Sequence, residues 1–301
     1  MTQPDRTVCV IGLGSMGMGI AASLLRSGFD VVGCDVSADA MAHFAQHGGR
    51  IADTPAEAGR GAHVVISVVV NAAQTEAVLF GDTGALSGMA RGGTILSCAT
   101  VSPDAARSFE ARTQALGLSY IDAPISGGAT RAAAGELTIM ASGAPQAFDD
   151  VRDVLDCIAA KVYELGDTAG IGAAFKIVNQ LLAGVHIAAA CEAITFAKAM
   201  DLDIARVYEV ISASAGNSWM FENRVPHILE GDYSPRSAVD IFTKDLGIVS
   251  DIARGLKFPT PVASTALQMF VMTAAAGMGR DDDASVARMI AQLTGLDLPG
   301  A

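Results

Sequence analysis

The chain has 301 residues, 51% of them hydrophobic, and a formal net charge of −12. That length suggests about two domains on a prior of ~150 residues each, with enough apolar content to build cores without disulfides or metals. Lys and Arg gather into no block, and the negative balance argues against nucleic acid or an anionic membrane as a partner.

In chain order, the first element is a short buried strand at residues 6–11, followed without a gap by Gly12-Leu13-Gly14-Ser15-Met16-Gly17. A helical stretch (18–26) closes on Ser27-Gly28, and a second apolar run, 31–34, ends on Asp35. Strand, glycine turn, helix, strand and acid in this order form a dinucleotide-binding fingerprint. Gly12 allows the tight turn, Gly14 lets a pyrophosphate approach the backbone, and Gly17 lets helix and strand pack closely. The helix N-terminus then faces the phosphates with unpaired N–H groups. Asp35 would accept from the ribose hydroxyls and repel a 2′-phosphate, so NAD is expected over NADP. The alternative is a glycine-rich strand–helix turn with no ligand.

Strand candidates continue at 64–70, 93–96, 118–121, 137–141 and 161–165, with helices at 103–115 and 145–159. The run 64–70 is continuously apolar, as a parallel strand buried on both faces requires. This pattern predicts a doubly wound α/β Rossmann domain over residues 1–165, with room for a late antiparallel strand. From residue 166 to 301 no strand is expected. A long Ala-rich helix at 172–200 opens an all-helical domain, followed by helices at 204–213, 237–255, 260–276 and 284–293. A helix this long and apolar needs cover on most sides, so a homo-oligomer, dimer or tetramer, is expected. No run of about 18 uncharged apolar residues is found, so no membrane span is expected. The five cysteines are odd in number and form no C-x-x-C pair. They read as free thiols in a reducing cytoplasm, and the chain start shows no signal-peptide pattern. The histidines add no metal-binding spacing.

Three places could carry chemistry. Asp122-Ala123-Pro124-Ile125-Ser126-Gly127-Gly128 follows a strand and so lies at its carboxyl end, where open α/β sheets bind ligands. Ser126, Gly127 and Gly128 offer a hydroxyl and backbone N–H groups to a carboxylate; the alternative is a turn that only redirects the chain. Lys176 sits in an otherwise apolar helical stretch, with Asn179 three residues on along the same face. Desolvation favours a neutral lysine that can act as a general base, whereas a solvated or ion-paired lysine is the alternative. Lys244-Asp245 reads either as a second cation for the site or as a surface ion pair. Trp219 could line a pocket or pack between helices.

Together these segments resemble the β-hydroxyacid dehydrogenase family, which includes 3-hydroxyisobutyrate dehydrogenases. The resemblance covers nearly the whole chain through GLGSMG at 12–17, DAPISGG at 122–128, GIGAAFKIVNQ at 170–180 and KDLGI at 244–248. It implies that Lys176 is catalytic, assisted by Asn179, with Ser126, Gly127 and Gly128 holding the substrate. Lys244 matches a lysine that contacts cofactor and substrate, and Val70, Asn71 and Thr100 match positions that meet the cofactor. Two segments depart from the family's usual pattern. Ser97-Cys98-Ala99-Thr100 replaces an acid and a serine, and Asn179-Gln180 replaces paired asparagines. The resemblance points to a branch acting on a polyhydroxylated sugar acid, for which Thr130, Arg131, Asn217 and Ser218 are candidate hydroxyl-binding residues. The resulting expectation is an enzyme that moves hydride from a small hydroxy acid to NAD. A 3-hydroxyisobutyrate dehydrogenase or semialdehyde reductase is the nearest alternative, and a non-catalytic dinucleotide-binding protein is the more distant one.

Overall fold

The computed structural model describes residues 6–300; the stretch read as lacking a signal peptide lies largely outside them. The chain divides after Lys176 into two compact units, Met1–Lys176 and Ile177–Ala301.

The first unit is built on a nine-stranded sheet: β1 Thr7–Ile11, β2 Asp30–Cys34, β3 Arg50–Ile51, β4 Val64–Ser67, β5 Thr94–Ser97, β6 Ser119–Asp122, β7 Ile125–Ser126, β8 Leu137–Gly143 and β9 Ala159–Glu164. The order is β3-β2-β1-β4-β5-β6-β8-β7, with β9 on β8. Strands β1 to β6 are all parallel to one another, and β8 joins β6 antiparallel. Side chains alternate between faces, so Val8 and Val10 enter one core while Cys9 and Ile11 enter the other. Both faces are therefore dry, as a parallel sheet needs. Register aligns the strand ends: Cys34 and Ser67 flank Ile11, Ser97 pairs with Ser67, and Asp122 with Ser97. Asp35, Gly12, Val68, Cys98 and Ala123 consequently leave the sheet along one edge.

Several elements differ from the sequence pattern or were absent from it, such as β3 and β7, and three differences bear on the site or the cores. The apolar run 64–70 is strand only to Ser67, because Val68 turns out to bond Ile11 and Asn71 caps the helix Ala72–Phe80. The helix expected at 145–159 breaks at Val151 (φ −123°, ψ 15°) into Pro145–Asp150 and Arg152–Ile158, and its last residue opens β9. The helix Trp219–Glu230 was masked by Pro226 in its interior, although Ser218 caps it with a bond from the Phe221 N–H.

The long helix Ile171–Ala199 begins after Gly170 (φ +96°), which has no side chain to cap it. Four N–H groups at a helix start lack intrahelical partners, and here distant side chains satisfy them. Asp122 Oδ2 accepts from Gly170 N–H at 2.9 Å and Ala173 N–H at 2.7 Å. Ser142 Oγ on β8 accepts from Gly172 N–H at 2.9 Å, and Glu110 accepts from Ala169 N–H at 3.1 Å. Gly172 permits this approach, since a Cβ there would lie 2.3 Å from the Met140 carbonyl oxygen.

The second unit is all-helical among the described residues. Its core gathers Ile187, Cys191 and Ile194 from the long helix with Val225, Phe242, Leu246 and Phe270. A buried polar pair crosses it: Arg224 Nε lies 2.5 Å from Asp283 Oδ1, and Nη2 lies 3.0 Å from Oδ2. Against the expectation of no such run, Ile171–Ala199 and Pro261–Met278 are long and apolar enough to cross a membrane. The first owes its composition to packing, with 50% of its most apolar window buried inside the protein.

Burial pushes the Asp122 carboxyl up to about 6, against the Ala173 and Gly170 N–H groups, which pull it down. A raised folded-state value means that the proton-linked part of its stabilising contribution is greatest below about pH 4 and is lost as pH rises through about 6, while the bonds from the two N–H groups persist. Urea unfolding of wild type and Asp122→Asn across that window should show the wild-type advantage shrinking as pH rises. A difference that stays flat between those pH values would contradict the assignment.

Candidate active site

The glycine turn at the end of β1 is shaped by contact. A Cβ on Gly17 would lie 1.8 Å from the Gly12 carbonyl oxygen, and one on Gly12 (φ +94°) 2.4 Å from the Val68 oxygen. A Cβ on Gly14 would meet nothing within 4 Å. Two glycines are thus demanded by the protein itself, and the third faces open space, as a site for a pyrophosphate requires. Gly14 precedes the helix Ser15–Arg26, and no side chain caps that helix. Its first N–H groups remain oriented for an anion. Asp35, just past β2, accepts from the Leu13 N–H at 2.5 Å and the Ser37 N–H at 2.8 Å. The acid is therefore held against the glycine turn by its backbone. Leu13 is buried, whereas Ser15 is exposed and Met16 is partly buried. The residues present fit a dinucleotide.

The strand order reverses between β1 and β4, a topological switch point at which such sheets bind ligands. Val70 and Asn71 lie just past β4. Asn71 caps the next helix by accepting from the Gln74 N–H at 2.8 Å, while Val70 is half-exposed and donates its N–H to Gln74. Thr100 follows β5 and is partly buried. Beyond β6, Ser126 ends β7, and Gly127 (φ +139°) and Gly128 (φ +76°) start the helix Gly128–Ala134. These backbone angles explain both glycines, and the space beside Gly128 is open to 4 Å. Thr130 and Arg131 are exposed on that helix.

Lys176 is 7% exposed, which removes the solvated reading of this lysine. It stands three residues beyond Ala173, whose N–H Asp122 holds. The β6 edge that leads into Ser126 therefore also sets the start of the lysine's helix. Asn179 is partly buried on the same helix face, and its Nδ2 donates to Gln180 Oε1 at 2.9 Å.

In the second unit, Lys244 Nζ lies 2.5 Å from Asp245 Oδ1, and Asp245 is 1% exposed. The surface ion pair envisaged from sequence is in fact buried on its Asp245 side, with Lys244 only partly exposed. Gln180 Nε2 reaches the other Asp245 oxygen at 2.5 Å. Asn217 and Ser218 have local tasks: Asn217 donates to Ser212 O and Glu222, and Ser218 caps its helix. Trp219 is 52% exposed, so it does not serve as interhelical packing. The clamp residues Asp122, Glu110 and Ser142 escaped sequence reasoning in this role. One signal was present: the residue directly before the long helix is Gly170, not a Ser, Thr, Asp or Asn that could cap it.

The NAD-binding domain model of 6-phosphogluconate dehydrogenase matches residues 7–166, and the NAD-binding model of NADP-dependent 3-hydroxyisobutyrate dehydrogenase matches residues 170–290. L-threonate dehydrogenase of Cupriavidus necator is 52% identical over 98% of this chain and 99% of its own. That of Escherichia coli strain K12 is 44% identical, covering 98% and 97% respectively. A crystal structure described as 3-hydroxyisobutyrate dehydrogenase from Salmonella typhimurium superposes with a TM-score of 0.91 at 46% identity, covering 95% of this chain and 100% of that one. With two family models in sequence and relatives matched along nearly their whole length, the chain belongs to the β-hydroxyacid dehydrogenase family.

Proposed function

We propose that this protein is an NAD-dependent dehydrogenase that oxidises L-threonate to 2-oxo-tetronate. The observation that carries the reading is the buried Lys176, one turn into a helix whose start is tied to the same sheet edge as the glycine turn and Ser126-Gly127-Gly128. The L-threonate dehydrogenases among its relatives support the substrate.

Ser126, Gly127 and Gly128 hold the substrate carboxylate with a hydroxyl and backbone N–H groups. Bound NAD supplies the hydride acceptor. Lys176, as the neutral amine, takes the hydroxyl proton while the carbinol carbon becomes a carbonyl, and returns it in the reverse direction. Asn179 orients the reacting hydroxyl. Gly12, Leu13, Gly14, Ser15, Met16 and Gly17 cradle the pyrophosphate, and Asp35 accepts from the ribose hydroxyls. Val70, Asn71 and Thr100 serve the nicotinamide half, and Lys244 contacts cofactor and substrate. Thr130 and Arg131 are exposed next to the carboxylate turn, which supports a part in binding the additional hydroxyls.

The Salmonella structure's description favours a second reading, oxidation of 3-hydroxyisobutyrate. L-threonate has hydroxyls that this acid lacks, so comparing their kcat/KM values separates the two. We further propose a cytoplasmic homo-oligomer, dimer or tetramer. Free cysteines support a reducing compartment. Phe175, Val178 and Leu182, all at least half-exposed along one stripe of the long helix, support self-association.

Lys176→Ala should lower kcat for L-threonate by about 10²- to 10⁴-fold while NAD affinity stays within about twofold. Steady-state kinetics with NADH absorbance and a titration of NAD binding check this, and a loss under about tenfold would remove Lys176 from the role. Wild type should prefer NAD, and Asp35→Ala should narrow the NAD-to-NADP ratio of kcat/KM by about tenfold or more, equivalent to about 1.4 kcal/mol. A wild-type preference for NADP would contradict the reading of Asp35.

A further inference from the structure

Gln180 is 7% exposed and has no part in the roles above, although it stands where the family pattern has an asparagine. Its amide links two groups. Nε2 lies 2.5 Å from Asp245 Oδ2, and Oε1 lies 2.9 Å from Asn179 Nδ2. The other Asp245 oxygen is 2.5 Å from Lys244 Nζ. A continuous polar chain therefore runs from the Lys244 ammonium through Asp245 and Gln180 to Asn179.

Donor and acceptor rules give this chain a direction. A carboxylate paired with an ammonium can only accept, so Gln180 must turn its NH₂ towards Asp245. Its carbonyl oxygen, also an acceptor only, is left for Asn179. Asn179 must answer with its own NH₂, which turns its Oδ1 away from Gln180. An amide without such a partner is free to flip, because its two ends have nearly the same shape. An asparagine at 180 would be one methylene shorter than the side chain that spans both partners at these distances.

We infer that Gln180 is a positioning residue that locks the amide of Asn179, so that Asn179 offers an acceptor oxygen to the substrate hydroxyl. The inference rests on the proposed function and deepens it. An acceptor oxygen fixed by a buried charge selects for ligands that bring an O–H to that point, which suits a hydroxyl-rich acid. Lys244 gains a second role as the ion-pair partner of Asp245 at the far end of this chain.

The test uses the whole chain as wild type, Gln180→Met and Gln180→Glu, with L-threonate and NAD, measuring kcat, KM and thermal unfolding. Gln180→Met removes both bonds at similar volume and should lower kcat/KM for L-threonate about tenfold, a typical effect of one or two lost hydrogen bonds. The KM for NAD should stay within about twofold. Gln180→Glu adds a readout that a purely structural role would not move. In its protonated form the new carboxyl can donate to Asp245 and accept from Asn179 as the amide does, whereas the ionised form sets like charge against Asp245. The charged groups facing this position are Asp245 and, through it, Lys244 on the helix Val239–Leu256, together with Lys176 one turn earlier on the same helix as Gln180. The activity of Gln180→Glu relative to wild type should therefore rise as pH falls.

A methionine variant within about twofold of wild type would overturn the inference. So would a glutamate variant whose relative activity is independent of pH, and that ratio decides the matter if the methionine variant does not fold. Wild type that turns over no L-threonate would overturn the substrate reading and this inference with it. Active wild type that is indifferent to Gln180 would overturn this inference alone.

Discussion

The carboxylate of Asp122 is bonded to the Gly170 and Ala173 N–H groups, and through them it anchors a helix of 29 residues to the end of β6. Ser142 and Glu110 complete the attachment from β8 and from the helix Pro103–Gln114. A helix start without partners would leave buried N–H groups unsatisfied, at about 1–3 kcal/mol each. The sheet edge therefore dictates where the helix begins. The position of every side chain along its first turns follows, and Lys176 is in the second of them. The chain runs on from the same strand into Ser126, so one short stretch of chain sets the start of the Lys176 helix and the Ser126-Gly127-Gly128 turn.

Much of this was legible in the amino-acid order because steric demands were local. Gly12 and Gly17 meet backbone atoms within a few residues or across one strand pair, and only glycine fits there. The alternation of Val8, Cys9, Val10 and Ile11 between two cores is a period of two that any parallel strand must show. The clamp was illegible for the opposite reason. Asp122 and Gly170 are 48 residues apart, and no local pattern relates them. Pro226 hid a helix because a proline inside a turn argues against helix formation, whereas Ser218 and the buried Phe221, Val225 and Ile228 outweigh it. The apolar run past Ser67 misled by composition alone, since the chain must leave the sheet to reach the switch point.

The site residues split along the same line. Lys176 was singled out by its oddity, a cation within an apolar stretch, and its burial bears out the reason for noticing it. Lys244 and Asp245 carried no such signal, because adjacent opposite charges are common on helix surfaces. Only the fold reveals that Asp245 is buried and that Gln180 connects it to Asn179. The family's departures in sequence, at Ser97-Cys98-Ala99 and at Gln180, thus differ in kind. The first lies on the sheet edge and gains no distinct role from the geometry, whereas the second has a defined pair of partners.

The central claim is that the β6 carboxylate positions Lys176, the proposed base, by fixing the helix that carries it. The most direct measurement is kcat for L-threonate in Asp122→Ala, taken with NAD affinity on protein that still unfolds cooperatively. A displaced base of this kind costs on the order of 10²-fold in rate, so the account predicts a fall of about that size with NAD binding nearly unchanged. Turnover at the wild-type rate in such a folded variant would contradict it.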